Sequence, residues 1–175
     1  MILWHIGTTI AILWFVFRGN TRVDYRFAAL GALLPDLIDK PIGRILLRGR
    51  FETGRLWGHT LLVNVAFFCI LFFMRGRVKR RLVMLPTGSL LHIAEDGMWS
   101  IPQTFWWPLF GTEFPPHPLP YGLLGYFNPF RNPGLYLQEL VGALLLAWLL
   151  SAHGMLSRDG IRTFVRTGRL EMQRA

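Results

Sequence analysis

Cysteine is nearly absent from this chain: Cys69, inside Phe67-Phe-Cys-Ile70, is the only one in 175 residues. A lone thiol closes no internal disulfide, so no covalent framework organises the fold. Among apolar neighbours it reads as filler and carries no information on redox compartment. Acidic residues are the second scarcity. Ten Asp and Glu face 19 Lys and Arg, for a net charge of +9 and a pI near 11.0. In a soluble protein that excess points to nucleic acid. Here the cations gather in the connections between apolar runs, so membrane topology and anionic lipid account for them and no nucleic-acid partner is expected. Also missing is a serine or cysteine beside a His-Asp constellation, which leaves a nucleophilic triad without support. The chain shows no internal repeat and no low-complexity tract.

What is abundant is apolar sequence. Hydrophobic residues make up 52% of the chain, aromatics 14%, and the mean hydropathy is +0.35. The length suits one domain, and the long apolar runs argue for an integral membrane protein. The expected fold class is an all-α membrane protein. It is a bundle of about five transmembrane or re-entrant helices with an aromatic, proline-rich outer loop. Residues 1–156 form the membrane domain and 157–175 a basic cytoplasmic tail.

In chain order, Met1–Phe17 is apolar apart from His5 and two threonines. It lacks a basic leader and a small-x-small cleavage pattern, and Arg18, Arg22 and Arg26 follow it. It reads as a retained first helix with its N-terminus outside. Phe27–Leu37 is apolar and rich in small residues, and it is closed by Asp36 and Asp39, with Pro35 expected to break the helix. Lys40–Arg55 mixes basic and apolar residues and reads as an interfacial segment on lipid headgroups. Leu56–Met74 is a strong spanning pattern with His59 near its start. The densest basic block, Arg75 to Arg81, marks the cytoplasmic side. Leu82–Trp99 returns, and Leu135–Leu156 is the last span, with Glu139 near its start. Between them, Ser100–Pro133 carries Trp106, Trp107, Tyr121, Tyr126 and Phe127 and suits an interfacial cap.

The chemistry-bearing stretch is Leu90-Leu-His-Ile-Ala-Glu-Asp-Gly-Met-Trp99. His92 and Asp96 stand four apart, one turn above each other on one helix face, where an imidazole and a carboxylate can hold a metal ion from one side. In an apolar, membrane-buried setting such a pair is costly unless matched. Placing the 75–81 block inside puts His5, Asp36, Asp39, His59, His92, Asp96 and Glu139 at one depth near the outer leaflet. The same layout puts Lys40–Arg55 outside, against the positive-inside rule. Either that segment binds headgroups or 27–39 is re-entrant.

His5, Gly31-Ala-Leu-Leu-Pro-Asp36-Leu-Ile-Asp39, Arg55-Leu-Trp-Gly-His59-Thr60-Leu-Leu62, His92-Ile-Ala-Glu-Asp96 and Trp107-Pro-Leu-Phe110 together resemble a bacterial family. Its members are described as membrane-bound metal-dependent hydrolases, or LexA-binding, inner-membrane-associated hydrolases. That pattern has a G-x-x-x-P-D-x-D element, a Thr-His-Ser element, and H-x-x-x-D followed by a Pro-Phe pair. This chain departs from it at Gly58-His59-Thr60 and at Pro108-Leu-Phe110. A weaker similarity runs to zinc-dependent phospholipase C.

The resemblance implies a multi-pass inner-membrane hydrolase. His5, Asp36, His59, His92 and Asp96 would bind one or two divalent ions, most simply zinc. Asp39 or Glu95 would orient water or act as base, or else stand behind the metal ligands, with a basic residue as a further partner for Glu95. Arg44, Arg48, Arg50 and Arg55 would hold the phosphate of a lipid or lipid-linked substrate, a phosphoester or ester. Glu139 and His117 are additional candidates. Glu139 has Arg131 as an alternative partner, and His117 reads first as a loop residue. His153, at the far end of the last helix, is excluded. Two other readings stand beside the enzyme: a membrane protein with a structural metal or an ion or proton path, and a membrane partner of a soluble repressor.

Overall fold

The computed structural model describes residues 1–17, 23–118 and 128–170, all helices, turns and loops without a strand among them. Arg18, Arg22, Tyr121, Tyr126 and Phe127, placed by sequence in the connections, lie outside the described residues. The helices are α1 Ile2–Val16, α2 Tyr25–Pro41, α3 Arg48–Phe51, α4 Leu61–Phe72, α5 Arg77–Leu82, α6 Met84–Glu95, α7 Pro102–Phe105, α8 Pro133–Ala152 and α9 Arg158–Thr167. A π-helical turn, Ile42–Leu46, extends α2, and a 3-10 turn, Trp57–His59, precedes α4.

Local signals set several of these ends. The Asp24 carboxylate accepts the Arg26 amide at the start of α2, Thr60 Oγ1 the Val63 amide at α4, and Ser157 Oγ the Gly160 amide at α9. Each side chain satisfies a backbone donor that the first helical turn leaves open. Pro35, expected to break its helix, does not: α2 runs through it to Pro41. A proline removes one amide and crowds the preceding turn, but Pro35 is buried against Gly58, where a Cβ would come within 3.0 Å of Pro35 Cα. Tertiary packing overrides the local preference.

α2 lies along α6, and α1 packs on both α8 and α2. Both major seams are built on glycine. A Cβ on Gly31 would sit 2.1 Å from the Leu85 carbonyl oxygen, and one on Gly88 2.3 Å from that of Ala28. Gly7 and Gly142 meet in the same way across α1 and α8. Close backbone approach through small residues is how helices associate where lipid offers no hydrophobic drive. Gly31→Ala is therefore expected to force α2 and α6 apart at a cost of about 1–3 kcal/mol. A drop of several degrees in the melting temperature of the purified protein checks this, and an unchanged melt would contradict the close seam.

The apolar core (Ile10, Leu13, Tyr25, Ala28, Met84 and Leu149) occupies one end of the bundle. At that end the segment after residue 157, read as a tail, forms α9. Its Gly168 carbonyl accepts the Tyr25 amide, and Arg26 donates to the Val165 carbonyl. At the other end meet the start of α1, the end of α2, the turn before α4 and the end of α6.

The five-span expectation is met only in part. Among the described residues α8 alone is long and apolar enough to cross a membrane by itself. At ~1.5 Å per residue its 20 residues reach about 30 Å, whereas the 15 of α1 reach about 22 Å and the 12 of α4 about 18 Å. The Leu56–Met74 run is hydrophobic enough but spends its first residues on the 3-10 turn that carries His59. The outward faces of α1, α4 and α8 are apolar: Phe15, Val16, Ile70, Phe72, Leu137 and Leu144 are all exposed. Contiguous exposed apolar surface of this kind marks contact with lipid or a partner.

Candidate metal centre

Each of three histidines reaches the site from a different segment with its ring pinned from behind. His92 Nδ1 lies 2.6 Å from the Ala32 carbonyl oxygen. A carbonyl only accepts, so Nδ1 carries the proton and Nε2 the lone pair. His59 Nδ1 lies 2.7 Å from Asp39 Oδ2. Asp39 also accepts the backbone amides of Leu56, Gly58 and His59 at 2.7, 3.0 and 3.2 Å. Four donors surround this fully buried carboxylate, so it fixes both the 3-10 turn and the His59 ring. His5 Nδ1 lies 2.7 Å from Glu95 Oε2, while Thr8 and Thr9 hydroxyls donate to Glu95 Oε1 at 2.7 and 3.3 Å.

The free Nε2 atoms then face one another and two carboxylates. His59 and His92 Nε2 are 3.4 Å apart. Asp36 Oδ1 lies 3.6 Å from His59 Nε2 and 3.8 Å from His92 Nε2. Asp96 Oδ1 is 3.4 Å from His5 Nε2, and its Oδ2 is 3.8 Å from His59 Nε2. The His5 and His92 ring centroids lie 3.9 Å apart with the planes tilted by 32°. Two trios, His5–His92–Asp96 and Asp36–His59–His92, each offer ligand atoms within 4.8 Å of one another.

This donor set fits a divalent cation. With Nδ1–H committed on His59 and His92, both Nε2 atoms present lone pairs at 3.4 Å with no proton between them, and carboxylate oxygens stand beside them. Such an arrangement is repulsive unless a positive charge sits among the atoms. Backed imidazoles with Nε2 inward are the usual surroundings of a zinc ligand set.

The structure thus brings His5, Asp36, His59, His92 and Asp96 into one cluster. Of the two places the sequence reading allowed Asp39 and Glu95, at the water or behind the ligands, the structure shows the second. Both carboxylates are used up behind His59 and His5, so they position imidazoles. Glu139 stands at the same end of the bundle but outside the cluster. It accepts the Leu3 amide at 2.8 Å and lies 4.0 Å from the terminal amine, capping α1.

The four arginines separate. Arg55 lies on Asp96 Oδ2, with Nη2 at 3.2 Å and Nε at 3.3 Å, and its Nη1 donates to His117 Nε2 at 3.2 Å. Arg44 Nη2 donates to the His117 carbonyl at 3.1 Å. Arg48 and Arg50 are exposed, and Arg50 stacks over the Phe51 ring. His117 is a bridge and lies outside both ligand trios. Its pKa is held below the ordinary histidine value, first by partial burial and then by the Arg55 and Arg44 guanidiniums, so it accepts from Arg55 as the neutral ring. His153, set aside on the sequence, lies away from the site with Nδ1 donating to the Leu149 carbonyl.

Sequence reasoning missed Lys40, whose ammonium holds Asp36 Oδ2, and Thr8, Thr9 and Asn64. Asn64 donates to the Gly58 and Thr60 carbonyls and locks the turn that carries His59. The signals were present: a cation at i+4 from Asp36, and single polar residues inside apolar helices. Of the expected outer loop, Phe114 packs on Trp57 and Phe51 beside that turn; residues 119–127 lie outside the described set.

Among the described residues, two cavities touch the cluster, each at one carboxylate. One of about 590 Å³ includes Asp36, Leu37, Lys40, Arg44, Ile45 and Arg48 in its wall. The other, about 300 Å³, includes Thr53, Arg55, Asp96, Ser100, Thr104 and His117.

Comparison with curated proteins and with solved structures finds no match. The model of one family, described as YdjM inner membrane protein, matches residues 3–158, which covers every segment that contributes to the site. The chain belongs to the YdjM inner membrane protein family.

Proposed function

We propose that this protein is a membrane-embedded, metal-dependent hydrolase of a lipid or lipid-linked ester or phosphoester. One observation carries the reading: three imidazoles whose Nδ1 atoms are tied back, with their Nε2 atoms and two carboxylates converging at 3.4–3.8 Å. His5, Asp36, His59, His92 and Asp96 would hold the ion, and the mixed imidazole and carboxylate set suits zinc. A bound zinc supplies Lewis acidity, polarising a phosphoryl or carbonyl oxygen and acidifying water. The chain's own residues do the rest. Asp39, Glu95 and the Ala32 carbonyl fix ring direction and tautomer, so the ligand set is preorganised. Lys40 and Arg55 each take one oxygen of Asp36 and Asp96, which sets the direction of the other oxygen.

A purely structural centre has no need of access. Here Asp36 and Asp96 each form part of a cavity wall, and this favours catalysis over a structural ion. The test is metal analysis of the purified protein, then a turnover screen with short-chain phosphoester and carboxyl-ester lipids. Zinc-loaded protein should turn over at least one of them. Chelation should abolish turnover and zinc restore it, and Asp36→Ala should lower it at least about 100-fold. Metal-loaded, folded protein inert on the whole panel would overturn the hydrolase reading.

A further inference from the structure

We infer that α9 is a membrane-surface helix that lies in the headgroup layer at the core end of the bundle. Ile161 and Val165 point toward the acyl chains, and a stripe of arginines rests on anionic lipid phosphates. This surface is at the opposite end from the metal centre and is independent of the hydrolase reading. Both ends of α9 are tied to helix ends at the same end of the bundle. Its start follows the end of α8 after the connection 153–157, and the backbones touch there, since a Cβ on Gly160 would collide with the Gly154 carbonyl oxygen. Its end meets the start of α2, where the Gly168 carbonyl accepts the Tyr25 amide at 2.8 Å. Gly168 has φ +71°, and a Cβ on it would collide with the Asp24 carboxylate, so glycine is what permits this contact. A rod fixed at both ends to one end of a bundle lies across it, and ten residues at ~1.5 Å reach about 15 Å. With α8 crossing the hydrocarbon, α9 therefore runs along the membrane surface and not away from it.

The faces of α9 are sorted to match. Residues four apart share a face. Phe164 turns inward and packs on the apolar core. Ile161 and Val165 form the next stripe round the axis and are 49% and 62% exposed, and Leu156, just before the helix, is 75% exposed. Arg158, Arg162 and Arg166, all exposed, form the stripe after that, and Asp159 and Thr163 fall on the far side. An apolar stripe flanked by guanidiniums suits a helix at the lipid–water boundary, where the arginine stems lie along apolar surface and the heads reach phosphates. Charge selects the lipid. Between 158 and 169 four arginines stand against Asp159 alone, and Arg81 approaches Asp24 at 3.9 Å beside the Gly168 contact. A zwitterionic headgroup offers no net attraction to such a patch, whereas an anionic leaflet does. Nucleic acid would also engage the guanidiniums, but it would leave Ile161, Val165 and Leu156 in water.

The test uses the full chain in nanodiscs, with nitroxide labels on a Cys69→Ser background. One label is at Val165→Cys on the apolar stripe, the other at Thr163→Cys on the far side. The readout is the ratio of collisions with oxygen, which concentrates in lipid, to collisions with a water-soluble nickel chelate. In phosphatidylcholine discs containing about 30% phosphatidylglycerol, the ratio at 165 should exceed that at 163 at least about fivefold. Removing the phosphatidylglycerol, or introducing Arg162→Glu with Arg166→Glu, should each lower the ratio at 165 at least about threefold. Ile161→Cys, on the same stripe, should repeat the Val165→Cys result, and an unchanged helical circular dichroism spectrum establishes that each variant is folded. Equal ratios at 163 and 165 in the anionic discs would overturn the inference. So would a ratio at 165 that ignores both phosphatidylglycerol and charge reversal. A label at 165 that stays in water beside lipid, and is shielded from the chelate only when duplex DNA is added, would assign the stripe to nucleic acid instead.

Discussion

Replacing His92 by alanine is expected to leave the purified protein nearly free of bound metal, with affinity lowered by more than about 100-fold. Losses of 10–100-fold are typical when only an outer partner of a ligand is removed. His92 belongs to both ligand trios, so its loss breaks each of them. It is buried, and its Nδ1–H donates to the Ala32 carbonyl; alanine therefore also leaves a small void on the α2–α6 seam. Elution as a single species on size exclusion and an unchanged helical circular dichroism spectrum separate metal loss from unfolding. His153→Ala, at a residue that is also buried but far from the cluster, should retain full metal. Unchanged zinc stoichiometry in folded His92→Ala protein would sink the metal-centre reading.

The second large effect concerns stability. Asp39→Ala is expected to lower the melting temperature on the order of 10 °C, and Asp39→Asn by less. Asp39 is fully buried and satisfies three backbone amides and the His59 ring. Alanine orphans the Leu56 and Gly58 amides and the His59 ring, while the His59 amide keeps its 3.2 Å bond to the Leu56 carbonyl. An unsatisfied buried donor costs about 1–3 kcal/mol, so the sum reaches several kcal/mol, a large part of a domain's roughly 5–15 kcal/mol. For a chain of this size each kcal/mol moves the melt about 2–4 °C. Asparagine keeps one acceptor oxygen but turns an amide NH2 toward other donors, so it recovers only part. Glu95→Gln should be much milder, because Glu95 supports side chains only, His5, Thr8 and Thr9, and no backbone amide. A melt within about 2 °C of wild type for Asp39→Ala would show that the turn holds without its carboxylate.

The sequence by itself determined the membrane class, the all-helical fold and the level at which the candidate ligands meet. The class follows from composition, since apolar runs separated by basic connections have few soluble solutions. The shared level follows from alternation. Successive antiparallel helices put the start of one beside the end of the next, which brings His5, Asp36, Asp39, His59, the His92/Asp96 pair and Glu139 to one level, and the family resemblance singles out the five ligands among them. The His92–Asp96 spacing supplied the rest, because helical periodicity is local and survives packing.

Only the tertiary structure decided what each group does there. In sequence Asp39 and Glu95 fit either catalytic carboxylates or groups behind the ligands. They serve as backing for imidazoles because of which backbone amides and rings happen to lie beside them, and that is set by how the turn at 57–59 folds onto α2 and how α1 lies on α6. The four arginines of 44–55 are alike in sequence, yet Arg55 is drawn to Asp96, Arg44 to the His117 carbonyl, and Arg48 and Arg50 to the surface. Pro35 stays helical because burial beside Gly58 outweighs the amide it lacks. Span length was the least legible feature. Hydropathy measures how apolar a run is but not where its helix begins, and the 3-10 turn that aims His59 inward shortens α4 to 12 residues. Long-range placement of polar groups is fixed by packing free energy summed over the whole bundle, and no local stretch of sequence contains that sum.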